Sequence, residues 1–461
     1  MTGRRIPNTR LRELLGEARW TGEELARAVN RSAAEAGMSL AYRRASVHQW
    51  ITGAEPRRPA AHFVCAALTR RLGRTVTLAD AGFASPRPDA AVAVSDRDAL
   101  RRLAAAASVP DRHGGLLAYR PLSAEEYVTT LVRPTDGGSV VGDRRTDRPA
   151  DHFGHPGGET GPTDAEPDVL RQVLTVFATV DRAQGGGQAR TALASLLATL
   201  VAPMLGRPYG PVRHARLLGD AARLSYLCAF MHVDDELNGL AGWYYRISLA
   251  LAHRAGDPAA QAMALRAMSA QAYELGRPRQ SLRLARAAAD CPLDAAPPRL
   301  RASVLGQLAL AEAAAGNGTA ALRHLDDARD LLPRIVGPPP PIGDYHRSSW
   351  DHQRALVRAE LGDLAGAISS LEASTARRPR AEARSRAIVL SRLAERQLAA
   401  GHVENACAAW HEFLDLYPLL SSRRVHAARA RLPGLLLPHR QRPAAEHLIR
   451  RAAALRPVRP Q

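Results

Sequence analysis

The sequence predicts an all-α protein: a small N-terminal helical domain followed by a long stack of helical hairpins. Three observations predict it. Alanine and leucine are abundant while aromatic residues make up only 5% of the chain, a mixture that favours helix because Ala and Leu lose little freedom on entering one. Apolar residues return at helical spacing between capping residues and glycines, with no convincing strand pattern. A glycine-led segment recurs four times in the second half. At 461 residues the chain is too long for one core, and its 46% hydrophobic content is enough to build more than one.

Residues 1–83 read as three or four short helices. The first runs roughly from Asn8 to Arg19, with Leu11, Leu14 and Leu15 on one face. The second starts at Thr21, which forms a capping box with Glu24: the hydroxyl accepts from the Glu24 amide and the carboxylate reaches back. Leu25, Ala26, Val29 and Ala33 line its apolar face, and Gly37 ends it. The third covers about Ala45 to Thr52 and stops at Gly53. After the turn EPRRP, a fourth runs from about Ala60 to Leu72 with Phe63, Val64, Ala67 and Leu68 inward. Residues 84–165 are rich in Pro, Gly and Asp and read as a flexible, partly disordered linker.

Residues 166–461 carry the repeats. Four segments share a turn glycine, a small residue five positions on, an apolar residue four further and a closing proline. The glycines are Gly276, Gly316, Gly362 and Gly401, spaced 40, 46 and 39 residues apart. The small residues are Ser281, Ala321, Ala367 and Ala406; the aligned residues are Ala285, Leu325, Leu371 and Trp410; the prolines are Pro292, Pro333, Pro379 and Pro418. A weaker fifth copy surrounds Gly256. The glycine turns one helix back onto the next, the small residue lets the pair approach, and the proline ends the second helix. One such pair does not bury its apolar face alone, so the pairs must stack.

These segments resemble tetratricopeptide repeats, whose second helix follows G-x-x-x-x-A-x-x-x-F/Y/L-x-x-A with a late proline; Gly362 with Ala367 and Pro379, and Gly401 with Ala406 and Pro418, fit closely. The resemblance covers roughly residues 240–420 and implies a right-handed solenoid with a concave groove that takes a peptide, small molecule or protein, or that dimerises. The first unit resembles helix-turn-helix domains of the Xre or lambda-repressor class, through Glu24-Leu25-Ala26 and then Ser46-Val47-x-x-Trp50-x-x-Gly53. It departs from them between the second and third helices: Leu25 to Val47 is 22 positions, about twice the usual interval, so the second helix is lengthened or the turn extended. The combination looks like Streptomyces-type actinobacterial regulators of sporulation and antibiotic production, which implies transcription regulation.

On that resemblance the third helix enters the major groove of double-stranded DNA and presents Arg44, Ala45, His48 and Gln49. Arg44 suits guanine O6 and N7, and Gln49 suits adenine N6 and N7. Ser46 caps the helix or touches a phosphate, Thr21 sits where a helix N-terminus meets the backbone, and Arg43, Arg57 and Arg58 are phosphate clamps. Val47 and Trp50 point inward. The charge agrees: the chain carries +18 with no lysine, and residues 1–74 hold 14 Arg against 6 Glu. A homodimer reading a near-palindromic site is expected. The alternative is a tetratricopeptide scaffold for protein partners without sequence-specific DNA binding.

No enzyme motif, metal site or cofactor site is expected. Cys65, Cys228, Cys291 and Cys407 are far apart and read as buried free thiols. His152 and His155 lie in the glycine-rich linker. Asp234, Asp235 and Glu236 read as charge at the N-terminus of an apolar helix. Gly185, Gly186 and Gly187 lack the Lys-Ser/Thr of a phosphate loop. Trp243, Tyr244 and Tyr245 read mainly as core. Without a signal peptide or an apolar run of membrane-spanning length, the expected place is the cytoplasm.

Overall fold

The computed structural model describes residues 7–35, 40–56, 58–72, 76, 78, 80–83, 101 and 165–455. The described residues are helical, with no strand among them. Four helices build the N-terminal part: α1 (Thr9–Ala18), α2 (Gly22–Glu35), α3 (Arg44–Ile51) and α4 (Arg58–Leu72). They share one core that includes Leu11, Leu25, Val29, Val47, Trp50, Val64 and Leu68. Asn8 caps α1 by accepting from the Leu11 amide at 3.0 Å, and its own amide donates to the Ala81 carbonyl at 2.8 Å. The long interval between the second and third helices is met by an α2 that reaches Glu35; Gly37, expected to end it, lies outside the described residues, as does nearly all of the expected linker.

The rest is a stack. A long helix α5 (Ala165–Gln184) is followed by α6 (Arg190–Leu196), a π-helical stretch (Leu197–Val201) and a short α7 (Ala202–Met204). Six antiparallel pairs follow: α8 (Pro211–Asp234) with α9 (Asn238–Arg254), α10 (Pro258–Glu274) with α11 (Pro278–Ala289), and α12 (Pro298–Ala314) with α13 (Gly318–Leu331). Next come α14 (Arg347–Glu360) with α15 (Leu364–Arg377), α16 (Ala383–Ala399) with α17 (Val403–Leu416), and α18 (Arg423–Leu436) with α19 (Pro443–Ala454). This is a tetratricopeptide-like helical-repeat array.

The turn chemistry explains the regularity. Gly256, Gly276, Gly316, Gly362 and Gly401 all have positive φ, between 64° and 87°, the left-handed region that glycine enters without a Cβ clash. Each is followed by an amide that returns to the carbonyl five residues back, as Arg277 does to Ala272 at 2.9 Å and Asn317 to Glu312 at 2.8 Å. The next helix then starts at once: Asp257 and Asp363 cap α10 and α15 through the amides of Ala260 and Gly366. The small residues Ser281, Ala321, Ala367 and Ala406 are buried to 1% exposure or less, and Ala285, Leu325, Leu371 and Trp410 pack beside them in the core. Pro292 and Pro379 follow within three residues of their helices, whereas Pro333 and Pro418 each sit in a single 3-10 turn that tightens the helix end.

The stack curls until its start meets its end. Gln184 accepts from the Ser421 amide at 2.7 Å, and the Gly187 amide donates to the Ser421 carbonyl at 2.9 Å. Asp234 accepts from the Gly186 amide at 3.0 Å and from the Ser422 hydroxyl at 2.9 Å. Arg384 of α16 reaches back to Asp181 of α5 at 3.1 Å and to Asp234 at 3.6 Å. This corrects the reading of Asp234 and Asp235 as charge at a helix N-terminus. Both are buried, and Asp235 is engaged by Arg190 at 2.9 Å. The three glycines are the other half of the join, because the backbone of Met231 and Ser421 packs where their side chains would be.

Candidate functional site

Two places gather polar side chains around a defined geometry: the outer face of α3 and the inside of the array. The first is built from α2. Thr21 and Glu24 form the predicted capping box: the Thr21 amide and hydroxyl donate to the Glu24 carboxylate at 2.7 and 2.8 Å, and the Glu24 amide donates to the Thr21 hydroxyl at 3.3 Å. These bonds hold the Glu24 carboxyl below its ordinary range. They also occupy the Thr21 amide that the sequence assigned to the DNA backbone. Replacing Thr21 with Ala is expected to cost about 1 kcal/mol in thermal unfolding of the N-terminal part, and Thr21→Ser to restore most of it.

From α2 the chain is led into α3 by Asn30, whose amide donates to the Tyr42 carbonyl at 2.8 Å and whose carbonyl accepts from the Tyr42 amide at 2.9 Å. Tyr42 meets Trp50 edge-on with ring centres 5.1 Å apart. Val47 lies against Gly22, so α3 is pinned to the start of α2 from beneath. With Val47 and Trp50 buried, helical geometry turns the rest outward: Arg43, Arg44, Ala45, His48 and Gln49 are exposed. Ser46 is half-buried and accepts from the Arg43 amide at 3.4 Å, which makes it a cap. Among the described residues no carboxylate pairs with Arg43 or Arg44. Arg57 lies outside the described residues, and Arg58 opens α4, its side chain outside them too.

The second place was not legible in the sequence. The first helix of each pair faces inward onto a shared chamber: α8 gives it Phe230, and the next five give it the polar groups of Arg266, Gln307, His352, Arg392 and Arg424. Its volume is about 270 Å³. Glu274 accepts from Arg392 at 2.5 Å and lies 3.4 Å from Arg424. Burial raises the Glu274 carboxyl, but those two guanidiniums outweigh it and hold the group down at about 2. Burial, then Arg392 and Arg378, push His352 well below its ordinary range. Its Nε2 accepts from Arg392 at 3.1 Å, because a guanidinium only donates.

Asp344, His346 and Glu382 bring three candidate metal ligands within 4.8 Å of one another. Their neighbours argue for an ion-pair network instead. His346 Nε2 lies 2.8 Å from Glu382, Glu382 pairs with Arg378 at 2.6 Å, and Asp344 pairs with Arg299 at 3.3 Å. Two guanidiniums already neutralise the carboxylates that a cation needs. His152 and His155 lie outside the described residues. Tyr244 and Tyr245 are core, as expected; Tyr244 stacks on His232 with ring centres 5.0 Å apart. The four cysteines are free, three of them buried. Among the described residues no helix is long and apolar enough to cross a membrane.

The N-terminal part meets the array where Arg277, in the turn between α10 and α11, donates to Asp80 at 2.6 Å.

The family described as the SP15 N-terminal domain matches residues 11–84, the stretch that contains α2, α3 and α4. No curated protein matches the chain. Among solved structures, it is similar to the nearly identical TPR-like repeats of a Podospora anserina protein described as a kinesin light chain, at 19% identity and a TM-score of 0.32, over 43% of this chain and 95% of that one. It is also similar to the APC/C hetero-tetramer Cut9–Hcn1, at 14% identity and a TM-score of 0.34. That match covers 64% of this chain and half the length of the other.

Proposed function

We propose that this chain is a cytoplasmic DNA-binding regulator of transcription. Residues 1–83 act as an Xre-type helix-turn-helix head, residues 84–165 as a linker, and residues 166–461 as the part that takes a ligand or protein partner. The observation that carries the reading is the face of α3. Arg43, Arg44, His48 and Gln49 are exposed, no carboxylate among the described residues pairs with the two arginines, and buried Val47 and Trp50 hold the helix in place. In this reading Arg44 and Gln49 read base edges, Arg43 with Arg57 and Arg58 grips phosphates, and Thr21 and Ser46 order the helix starts.

The test is selection of genomic DNA fragments on the full chain, repeated across a salt series. A recurring, near-palindromic site is expected. Arg44→Ala and Gln49→Ala should each weaken binding to it by roughly 10- to 100-fold, from about 1–3 kcal/mol per lost bidentate pair, and relax its sequence at one position. A second reading is a scaffold for protein partners with no base reading. The occupied Thr21 amide favours it, since that donor is not offered to a phosphate. Binding that is sequence-independent and lost at moderate salt would establish the scaffold over the regulator.

A further inference from the structure

The chamber inside the array holds a charge that its own walls leave unmatched. Each carboxylate bordering it or the pocket that adjoins it already has a guanidinium: Glu274 has Arg392, Asp344 has Arg299, Glu382 has Arg378 and Asp181 has Arg384. Arg266, in the middle of α10, has none among the described residues. Its charged-state neighbours are the hydroxyls of Tyr226, Tyr245 and Tyr345, and Tyr226 hydrogen-bonds to it. These are neutral groups at ordinary pH, so they solvate the guanidinium without cancelling its charge. Arg266 is half-buried and borders both the 270 Å³ chamber and an adjoining pocket of about 160 Å³. The Nε donors of Arg378 and Arg384, which border the same space, are buried and have no partner. Phe230, Leu310 and Ile388 supply apolar wall.

A cationic group kept out of bulk water and left without a counter-charge is costly, and it is retained where a ligand completes it. The volume suits a small molecule and is too small for a partner's helix. We propose that the chamber binds a small organic anion, whose carboxylate or phosphate pairs with Arg266 while its apolar body rests on the Phe230 and Leu310 side. This deepens the reading of the array as the ligand-taking part and is independent of whether the head reads DNA.

The full chain is tested by thermal unfolding and calorimetric titration, with Arg266→Met and Arg266→Gln beside the wild type. The probes are 4-hydroxybenzoate, phenyl phosphate and neutral 4-hydroxybenzamide at matched ionic strength. Without any probe, Arg266→Met should melt no lower than wild type, since it removes an unmatched charge and keeps an unbranched apolar stem. At least one anion should raise the wild-type Tm, the amide should not, and both variants should bind that anion about tenfold more weakly or worse. Whether the carboxylate or the phosphate is preferred names the ligand class. A marked loss of stability or of folding in ligand-free Arg266→Met would overturn the proposal, because the guanidinium would then be a matched structural strut. No Tm rise with either anion, or a rise that survives in the variants, would overturn it equally. Neither result bears on the DNA selection.

Discussion

Replacing Gly186 with alanine is expected to destabilise the array by about 3 kcal/mol or more. The added Cβ would stand 2.5 Å from the Met231 carbonyl oxygen and 2.7 Å from the Met231 Cα. Both are backbone atoms near the end of α8, so no side-chain rotation relieves the overlap. Moving the loop away breaks the Gly186 amide bond to Asp234 and takes one donor from that buried carboxylate, leaving it to Ser422 and Arg384. The control is Gly434→Ala on α18, where an added Cβ meets nothing within 4 Å. That change should be neutral or mildly stabilising, because alanine in a helix loses less chain entropy on folding. Chemical denaturation of both variants checks the contrast. Equal midpoints would mean that the glycine-rich loop is not seated where the structure puts it.

Acid should weaken the array through histidines that its interior holds neutral. His232 is fully buried: its Nδ1–H donates to the Cys228 carbonyl at 2.7 Å and its Nε2 has no partner. Burial outweighs the carbonyl's help and lowers the group from 6.5 to about 3. A folded-state value below the unfolded one means stability that is present above pH 6.5 and lost as pH falls through 3, at about 1.4 kcal/mol per pH unit. His352, also held neutral, acts in the same direction. Asp181 opposes them. Burial, only partly offset by Arg384, raises it from 3.8 to about 6, so it gains stability as pH falls between those values. Burial also lowers His411 and His426 and raises Asp235, so the depressed histidines outnumber the raised carboxyls and the net change between pH 6 and 4 is a loss of stability. His232→Phe should flatten that slope and Asp181→Asn should steepen it, read as denaturation midpoint against pH. Below 4.5, protonation of Glu274 adds a further loss. A wild-type midpoint that does not move between pH 7 and 4.5 would contradict the burial of both histidines.

Local grammar was legible; long-range closure was not. Gly276, Gly316, Gly362 and Gly401 announced their turns because a left-handed residue between two helices is a property of a few neighbouring positions. Thr21 with Glu24 did so for the same reason. The ends of α1 and α3 fell within one residue of the expected ones. Gly185 to Gly187, Asp234 and Arg384 carry no such signal. Each acquires its role from a partner far along the chain, and Gly186 makes sense only beside Met231. The chamber escaped for the same reason, since Arg266, His352, Arg392 and Arg424 sit on four different helices and share no spacing. On α3 the sequence separated buried from exposed positions correctly, because helical periodicity alone decides that. What those exposed side chains recognise is a question for the selection described above.

An open stack of helical pairs behaves like a zipper: each unit leans only on its neighbours, and the ends fray first. The Ser422–Asp234 bond joins residues 188 positions apart and changes that behaviour. The first pair is held by a segment synthesised long after it, so on the ribosome α5 to α9 must wait for residues 421–424 before their inner face is complete. Closing so long a segment is entropically slow to reach but, once made, leaves that end of the stack without a loose edge. Chain shortening from the C-terminus would therefore be felt at the opposite end of the array, with α5 and the glycine loop becoming the first segments open to proteolysis.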